Sequence, residues 1–471
     1  MAAFLRLDGI GAEALTGDEV FSRDLALSPW PEFFEKAKAD LVHPPGYYLL
    51  LKLFLSPGEH SALAGRALSL LSGVGLVAAV ALWGWRERRL LFPATVAALL
   101  VAVNETQIFY SQQTRSYALY ALLVWAIASL FGRRARALER SVWPLAVLAV
   151  GAVYVHYVAG VYLAGLGAAA LLGLWGKAPA RRFLQAGAIT VALFLPWVWL
   201  AIGVYQDKGG LEDNLGWAGV ASLYDLASIY ARYAGLPPVN RGVTIAVALS
   251  GAFVAYALWS LAKRRGEERL FELEAAAILA IVPPLLLFLA SRRPEMVGIF
   301  GVRHLLPSQA FWAITAAYGL AAAVEDVRRR APALAPAAAA AGLAILLSLP
   351  SFEEWALAGQ TRRLPYDAVA NYVAAHADAA PVYSANAHSI GLPVEYYAHG
   401  RFVTHRSPAE LATAPERLLL IYRPDAPAEK EVFESLAARG WGVCSAEAFP
   451  AGPDENYAPV AATMAKSCAT P

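Results

Sequence analysis

The chain has 471 residues, of which 58% are hydrophobic and 16% are charged, and its mean hydropathy is +0.46. This composition is more apolar than the cores of a soluble protein of this size require, so we predict a mainly α-helical, polytopic membrane protein. A net charge of +2 without a long basic run argues against a nucleic-acid partner.

The first 61 residues collect acids and aromatic residues. The start of the chain is either a short exported tail or the end of a first helix that lies upstream, and we favour the second, because "FLRLDGIG" looks like the last turn of a transmembrane helix. Adjacent acids, Asp18 and Glu19, follow it. The stretch "SPWPEFFEKAKA" (28–39) then predicts an amphipathic helix at the membrane surface, because its apolar residues share one face.

The next stretch, "DLVHPPGYYLLL" (40–51), combines ionisable residues with the start of a helix. Its two prolines suit a first helical turn, and its two tyrosines are typical of the aromatic belt at a membrane surface. Neither feature accounts for Asp40 and His43. We therefore treat both residues as candidates for a substrate site.

Ten apolar runs follow, each of about 15 to 21 residues, the length that crosses a bilayer core with or without tilt. The fourth and fifth runs form one block, which we divide at His156 and Tyr157 because a single helix would be too long. The runs span residues 62–82, 90–106, 116–131, 142–157, 158–176, 184–204, 242–262, 272–290, 303–323 and 332–348.

Basic residues predict the orientation, because short cytoplasmic loops accumulate Lys and Arg. Every second loop is basic, so we place these loops in the cytoplasm. All other loops then lie on the extracytoplasmic side of the cell (inner) membrane. They are "WRERR" (85–89), "GRRARALER" (132–140), "GKAPARR" (176–182), "KRRGEER" (263–269) and "EDVRRR" (325–330).

Residues 351–471 differ in pattern from the transmembrane part, residues 1–350. Predicted strands such as "RLLLIYR" alternate with helices such as "EKEVFESLAARG", which indicates a small extracytoplasmic α/β domain. It carries no recognisable catalytic motif. Cys444 and Cys468 lie in it, where either a disulfide or two unpaired thiols would be expected with equal weight.

Arginines at outer helix ends oppose the usual charge bias. In "YSQQTRSYAL" we expect Ser111, Thr114 and Arg115 on one helical face, and Arg303 with His304 begins another helix. Each arginine alone is explained equally well by a side chain reaching the lipid headgroups. Together they indicate a bound anion, and a lipid phosphate suits the guanidinium group.

The acids complete a reaction scheme. Two adjacent acids in an outer loop are usually just solvated, but near the membrane Asp18 can take a proton from an acceptor hydroxyl or amine. The arginines would neutralise a phosphate that leaves as the bond breaks. The scheme is group transfer from a phosphate-linked lipid.

Four motifs in this order resemble the C-type integral-membrane glycosyltransferases, in particular the protein O-mannosyltransferases and the bacterial aminoarabinose transferases. They are "GDE", "D..HPP.YY.LL", "YSQQTRSYAL" and "RHLLP". The resemblance covers residues 4–320 and implies a cell-envelope enzyme that uses a polyprenyl-phosphate-linked sugar and acts with inversion. The acceptor would be a glycan, a lipid or a protein. The reaction requires no metal, although some relatives bind a divalent metal in this region.

The same resemblance implies roles for individual residues. Asp18 matches the catalytic acid and Glu19 its partner, while Arg115, Arg303 and His304 would bind the donor phosphate. The remaining candidates for the substrate site are Asp40, His43, Tyr110 and Gln112.

Two other classes of function stay open on the sequence alone. A transporter or lipid flippase would place ionisable residues at the membrane midplane and show internal repeats, whereas here the polar residues gather on one side. A non-catalytic lipid-binding scaffold is the second alternative. An Asp18→Asn change would abolish the activity of an enzyme and leave a scaffold unaffected.

Overall fold

The computed structural model describes residues 1–11, 14–40, 42–55, 61–86, 90–136, 141–172, 174–207, 220–234, 242–263, 271–348, 365–377, 380–405, 416–449 and 458–468. The chain forms two compact units. The membrane unit comprises Met1–Leu7, Ser28–Phe54 and Arg66–Ser351, and the α/β unit comprises Asp8–Leu27, Leu55–Gly65 and Phe352–Pro471. The proposed domain boundary at residues 350 and 351 lies outside the described residues.

Helices dominate the chain up to residue 348. The N-terminal helices are α1 (Ala2–Leu7), α2 (Gly17–Leu27), α3 (Trp30–Asp40) and α4 (Gly46–Phe54). The next are α5 (Ala62–Arg86), α6 (Leu91–Val103), α7 (Glu105–Ser111), α8 (Tyr117–Arg136), α9 (Trp143–Val155), α10 (Ala159–Leu171) and α11 (Lys177–Asp207). They are followed by α12 (Leu223–Ala234), α13 (Gly242–Lys263), α14 (Phe271–Ala290), α15 (Leu306–Arg330) and α16 (Ala335–Ser348), with 3-10 turns at Pro294–Ile299, Val302–Leu305 and Pro332–Leu334.

All ten predicted apolar runs form helices, which confirms a multi-pass membrane protein. Within the described ranges, four helices are by themselves long and apolar enough to cross a membrane, and the pair α6 and α7 forms a fifth span that is bent by 61°. The other runs form shorter apolar helices. Parts of the predicted loops 85–89, 132–140, 205–241 and 263–269 lie outside the described residues.

The predicted division at His156 is confirmed. Helix α9 ends at Val155, and α10 begins at Ala159. The backbone of His156 is extended, with φ −158° and ψ 126°, so the helical hydrogen-bond pattern stops there.

The bend between α6 and α7 is stabilised by two polar side chains. Asn104 has an extended backbone, and its side chain accepts a hydrogen bond from the N–H of Gln107, 3.1 Å away, as an N-cap does. The buried guanidinium of Arg6 donates to the carbonyls of Val101 at 3.1 Å and Ala102 at 3.0 Å. These carbonyls end α6 and have no partner within the helix, so Arg6 satisfies them in an apolar environment.

Helix α3 has the amphipathic character predicted for it. Phe33 and Ala37 are buried in the membrane unit, whereas Trp30 and Phe34 are exposed. Exposed aromatic side chains beside a buried apolar stripe are typical of a helix that lies at a membrane surface.

The α/β unit contains a five-stranded sheet with the strand order β2-β1-β3-β5-β4. Strands β1 and β2 are parallel to each other and β1 is parallel to β3, whereas β5 runs antiparallel to both β3 and β4. The strands are β1 (Val382–Ser384), β2 (Thr404–His405), β3 (Arg417–Tyr422), β4 (Gly442–Ala448) and β5 (Val460–Ala465). The helices of this segment are α17 (Tyr366–His376), a π-helical turn (Ala387–Gly391), α18 (Leu392–Ala398) and α19 (Pro427–Ala438).

Both faces of this sheet are covered, which explains the continuous apolar run of β3. Leu419 and Ile421 pack on one side with α17 and α18, and Leu418 and Leu420 pack on the other side. Cys444 and Cys468 form a disulfide, so the paired alternative is the one that the structure adopts. Closing a loop of this length contributes about 3 kcal/mol.

Candidate functional site

A non-helical link between α7 and α8 carries Arg115 into the interior of the membrane unit. The prediction of one helical face for Ser111, Thr114 and Arg115 is wrong, because α7 ends at Ser111 and α8 begins at Tyr117. The hydroxyl of Ser69 donates to the carbonyl of Arg115, 2.9 Å away, which holds the link in place. The side chain of Arg115 is only 5% exposed.

Arg115 contacts the second predicted motif. Its Nη2 atom lies 3.1 Å from Nε2 of His43, and His43 is itself buried. Asp40 supports this histidine, because its Oδ2 atom accepts hydrogen bonds from the backbone N–H of His43 at 3.2 Å and from the hydroxyl of Tyr48 at 2.9 Å. The structure therefore brings Asp40, His43 and Arg115 together.

The charge state of Asp40 follows from these contacts. Burial alone would raise the pKa of this carboxyl. The hydrogen bond and charge of His43, the charge of Arg115 and the hydrogen bond from Tyr48 outweigh that effect and lower the pKa below its ordinary value of 3.8. Asp40 is therefore an ionised anchor for His43 and Arg115 at neutral pH.

Arg303 and His304 lie in the 3-10 turn that leads into α15. Nε of Arg303 donates to Nε2 of His304, 3.0 Å away. Three buried side chains donate to successive carbonyls at the end of this turn and the first residue of α15, and so fix the position of the turn. They are Tyr120 to His304 at 3.0 Å, Tyr233 to Leu305 at 3.2 Å and Gln107 to Leu306 at 2.9 Å.

His156, predicted only as the break between two helices, lies among these residues. Its ring stacks on Tyr120 with centroids 4.8 Å apart, and its centroid lies 5.3 Å from that of His304 and 5.7 Å from that of His43. We call His43, Arg115, His156, Arg303 and His304 the histidine-arginine cluster. A histidine inside a long apolar block is a signal from which His156 could have been predicted as a site residue.

The hydrogen bonds of the cluster determine where its histidines carry protons. Nδ1 of His156 accepts from the backbone N–H of Val158, so the proton of this ring is on Nε2. Nε2 of His304 accepts from Arg303, so the proton of that ring is on Nδ1. Both N–H groups are buried and find no hydrogen-bond partner among the described residues.

Buried N–H donors beside two guanidinium groups suit an anion. An unsatisfied buried donor costs about 1 to 3 kcal/mol, which a bound phosphate oxygen would recover. A histidine binds a metal ion through a nitrogen lone pair, and the lone pairs of His156 and His304 are already used as acceptors. Within the described ranges, no group of three His, Cys, Asp or Glu side chains is arranged to hold a metal ion.

The two remaining substrate-site candidates of the membrane unit have local contacts. The ring of Tyr110 packs edge-on against Tyr117, with centroids 5.1 Å apart, and Tyr117 in turn contacts His156 at 5.7 Å. Nε2 of Gln112 donates to the carbonyl of Arg6, 3.2 Å away. Tyr110 is thus next to the cluster through Tyr117, whereas Gln112 links α1 to the end of α7.

Asp18 and Glu19 belong to the α/β unit and differ from each other. Glu19 is 1% exposed, and its carboxylate accepts from the backbone N–H of Thr16 at 3.0 Å, while the Thr16 hydroxyl accepts from the N–H of Glu19 at 3.4 Å. This reciprocal pair is a capping box at the start of α2. Asp18 is 41% exposed, and its Oδ1 atom lies 2.8 Å from Nε2 of His388 in the π-helical turn.

No family model matches the sequence, and no curated protein matches it. Two crystal structures of ArnT from Cupriavidus metallidurans have a similar fold. The apo state has a TM-score of 0.54 at 13% identity, over 99% of this chain and 97% of that chain. The state bound to undecaprenyl phosphate has a TM-score of 0.55 at 11% identity, over 98% and 96% of the two chains. The chain therefore has the same overall fold as these ArnT structures.

Proposed function

We propose that the protein is a membrane glycosyltransferase that moves a sugar from a polyprenyl-phosphate donor to an acceptor outside the cytoplasm. The observation that carries this proposal is the histidine-arginine cluster, where buried N–H donors and guanidinium groups converge in a membrane unit. Two facts support it further. The fold is that of ArnT, and one of the ArnT structures is bound to undecaprenyl phosphate.

The cluster would bind the donor phosphate. Arg115 supplies charge, and the N–H groups of His156 and His304 supply hydrogen bonds to phosphate oxygens. As the bond between the anomeric carbon and the phosphate oxygen breaks, negative charge grows on the leaving group. Donors that are already oriented stabilise this charge without reorganisation, which lowers the barrier.

Asp18 would activate the acceptor. Its carboxylate takes the proton from the acceptor hydroxyl or amine, whose lone pair attacks the anomeric carbon from the face opposite the phosphate. A new bond to the sugar forms, the electron pair of the old bond leaves with the polyprenyl phosphate, and the anomeric configuration inverts. Glu19 supports this role indirectly, because its capping box fixes the first turn of α2, in which Asp18 lies.

The alternation of basic loops supports an inner-membrane location with the reaction on the extracytoplasmic side. In this orientation the α/β unit also faces the outside, where its disulfide between Cys444 and Cys468 is stable. We assign this unit to the acceptor side of the reaction. The acceptor belongs to the glycans, lipids or proteins of the cell envelope.

The test is transfer of a radiolabelled sugar from a panel of polyprenyl-phosphate sugars in membranes that contain the protein. Wild type is compared with Asp18→Asn and with Asp367→Asn, which removes an exposed acid from the first turn of α17 in the same unit. We expect transfer with at least one donor, loss of transfer in D18N and normal transfer in D367N. Equal transfer by D18N and wild type, or no transfer from any donor, would contradict the proposal and favour a transport or scaffold role.

A further inference from the structure

A histidine of the C-terminal segment contacts the acid to which we assign acceptor activation. His388 and Asp18 are 370 residues apart in sequence, yet Nε2 of the histidine lies 2.8 Å from Oδ1 of the acid, within one compact unit. An ionised carboxylate only accepts hydrogen bonds, so the imidazole N–H is the donor. The ring of His388 also lies beside Phe21, with centroids 6.4 Å apart.

Close backbone packing holds the two residues together. A Cβ atom at Gly17 would lie 1.9 Å from the carbonyl oxygen of His388, so only glycine permits this approach of α2 to the π-helical turn. The turn is itself fixed on both sides of the histidine. The Asn386 side chain accepts from the N–H of Ser389 at 2.9 Å, and the hydroxyl of Tyr366 donates to the carbonyl of Ser389 at 2.8 Å.

The hydrogen bond itself contributes little to the stability of this unit. The side chains of His388 and Asp18 are 54% and 41% exposed, and exposed charged pairs add little to the stability of a folded protein. Gly17 packs against the backbone of His388 without this hydrogen bond, and the bonds of Ser389 to Asn386 and Tyr366 fix the turn independently. The fold therefore orients His388 and Asp18 whether or not they bond. The effect of their hydrogen bond lies in the chemistry of the Asp18 carboxylate and not in stability.

We propose that His388 is a positioning residue for Asp18, a proposal that rests on the proposed glycosyl transfer. Its N–H holds one carboxylate oxygen and so sets the direction in which the group meets the acceptor. During transfer the acceptor proton passes to the Asp18 carboxylate, and the bond electrons leave with the polyprenyl phosphate. His388 neither gains nor loses a proton in this step, so any side chain that donates at the same place should replace it.

Two substitutions separate the hydrogen bond from the bulk of the ring. His388→Gln keeps an N–H donor near the position of Nε2, and His388→Phe keeps the ring beside Phe21 but removes the donor. We expect H388F to lower kcat about 10- to 100-fold with an unchanged KM for the donor lipid, because a misdirected base costs rate and not donor affinity. H388Q should stay close to wild type.

The matched control is His376→Ala, since His376 is an exposed histidine of the same unit that packs on Tyr372. H376A should transfer normally, and the Cys444–Cys468 disulfide and the elution profile of every variant report its folding. If H388F does not fold, His388→Ala provides a variant without the hydrogen-bond donor.

Each outcome decides a different claim. Normal kcat in H388F, or equal losses in H388F and H388Q, would overturn the positioning role while D18N still supports the proposed function. A weaker affinity of H388F for the donor lipid with an unchanged kcat would also overturn the positioning role. Absence of any Asp18-dependent transfer in wild type would remove the proposed function, and the role of His388 would go with it.

Discussion

The hydroxyl of Tyr120 donates a hydrogen bond to the carbonyl oxygen of His304, 3.0 Å away, and joins two segments that lie 184 residues apart. The same tyrosine ring stacks on His156. One side chain of α8 thus packs on the imidazole of His156 and holds the backbone that carries His304. This arrangement suits a ligand, since the ring N–H groups of His156 and His304 remain unsatisfied among the described residues.

Removing the hydroxyl of Tyr120 tests whether its hydrogen bond to His304 stabilises the cluster. Tyr120→Phe leaves the buried carbonyl of His304 without this donor, so the free energy of unfolding should fall by about 1 to 2 kcal/mol and donor binding should weaken. The control is Tyr318→Phe, because the buried hydroxyl of Tyr318 has no partner among the described residues. Thermal unfolding in detergent measures both variants. Equal stability of Y120F and Y318F would contradict the assigned role.

His156 should matter more for binding than for stability. His156→Phe removes an unsatisfied N–H but also removes the acceptor for the Val158 N–H, so the two effects on the free energy of unfolding oppose each other. We expect that free energy to change by less than about 1 kcal/mol, while affinity for a polyprenyl phosphate falls about 10-fold or more. Binding of the uncharged polyprenol should not change. A variant with unaltered affinity for the phosphate would exclude His156 from the site.

The lowered pKa of Asp40 predicts that the stability of the protein depends on pH. A lowered pKa in the folded state stabilises the protein above the ordinary value of 3.8, and this stabilisation is lost as the pH falls through the lowered pKa. Asp40→Asn should therefore cost about 1 to 3 kcal/mol at neutral pH, and the difference from wild type should shrink in acid. Unfolding temperatures measured across this pH range test the sign. A difference that grows in acid would be inconsistent with an ionised anchor.

The positions of the apolar helices and the break at His156 could be predicted from the sequence, for physical reasons. Long apolar runs leave a helix as the principal way to satisfy the backbone in a bilayer, and His156 marked a helix break because the block around it was too long. The run of β3 was recognisable as a buried strand, whereas the short β2 and the strand β5 were not predicted. Both strands depend on partners that are distant in sequence.

The candidate site was only partly predictable. Motif spacing pointed to Asp40, His43, Arg115 and Arg303, which the structure places in one unit. Thr16 and Glu19 show the spacing of a capping box, so the structural role of Glu19 was predictable from a local pattern. The pairing of His388 with Asp18 spans 370 residues and follows from no local pattern.

We propose above that the histidine-arginine cluster binds a lipid phosphate. The most direct test is to measure the affinity of the purified protein for undecaprenyl phosphate. Wild type, Arg115→Gln and the control Arg292→Gln are compared; Arg292 is an exposed arginine of the same unit. Uncharged undecaprenol serves as the ligand control. We predict that R115Q weakens binding of the phosphate at least about 10-fold and that R292Q does not. Equal affinities of wild type and R115Q, or equal binding of undecaprenol and undecaprenyl phosphate by wild type, would contradict the claim.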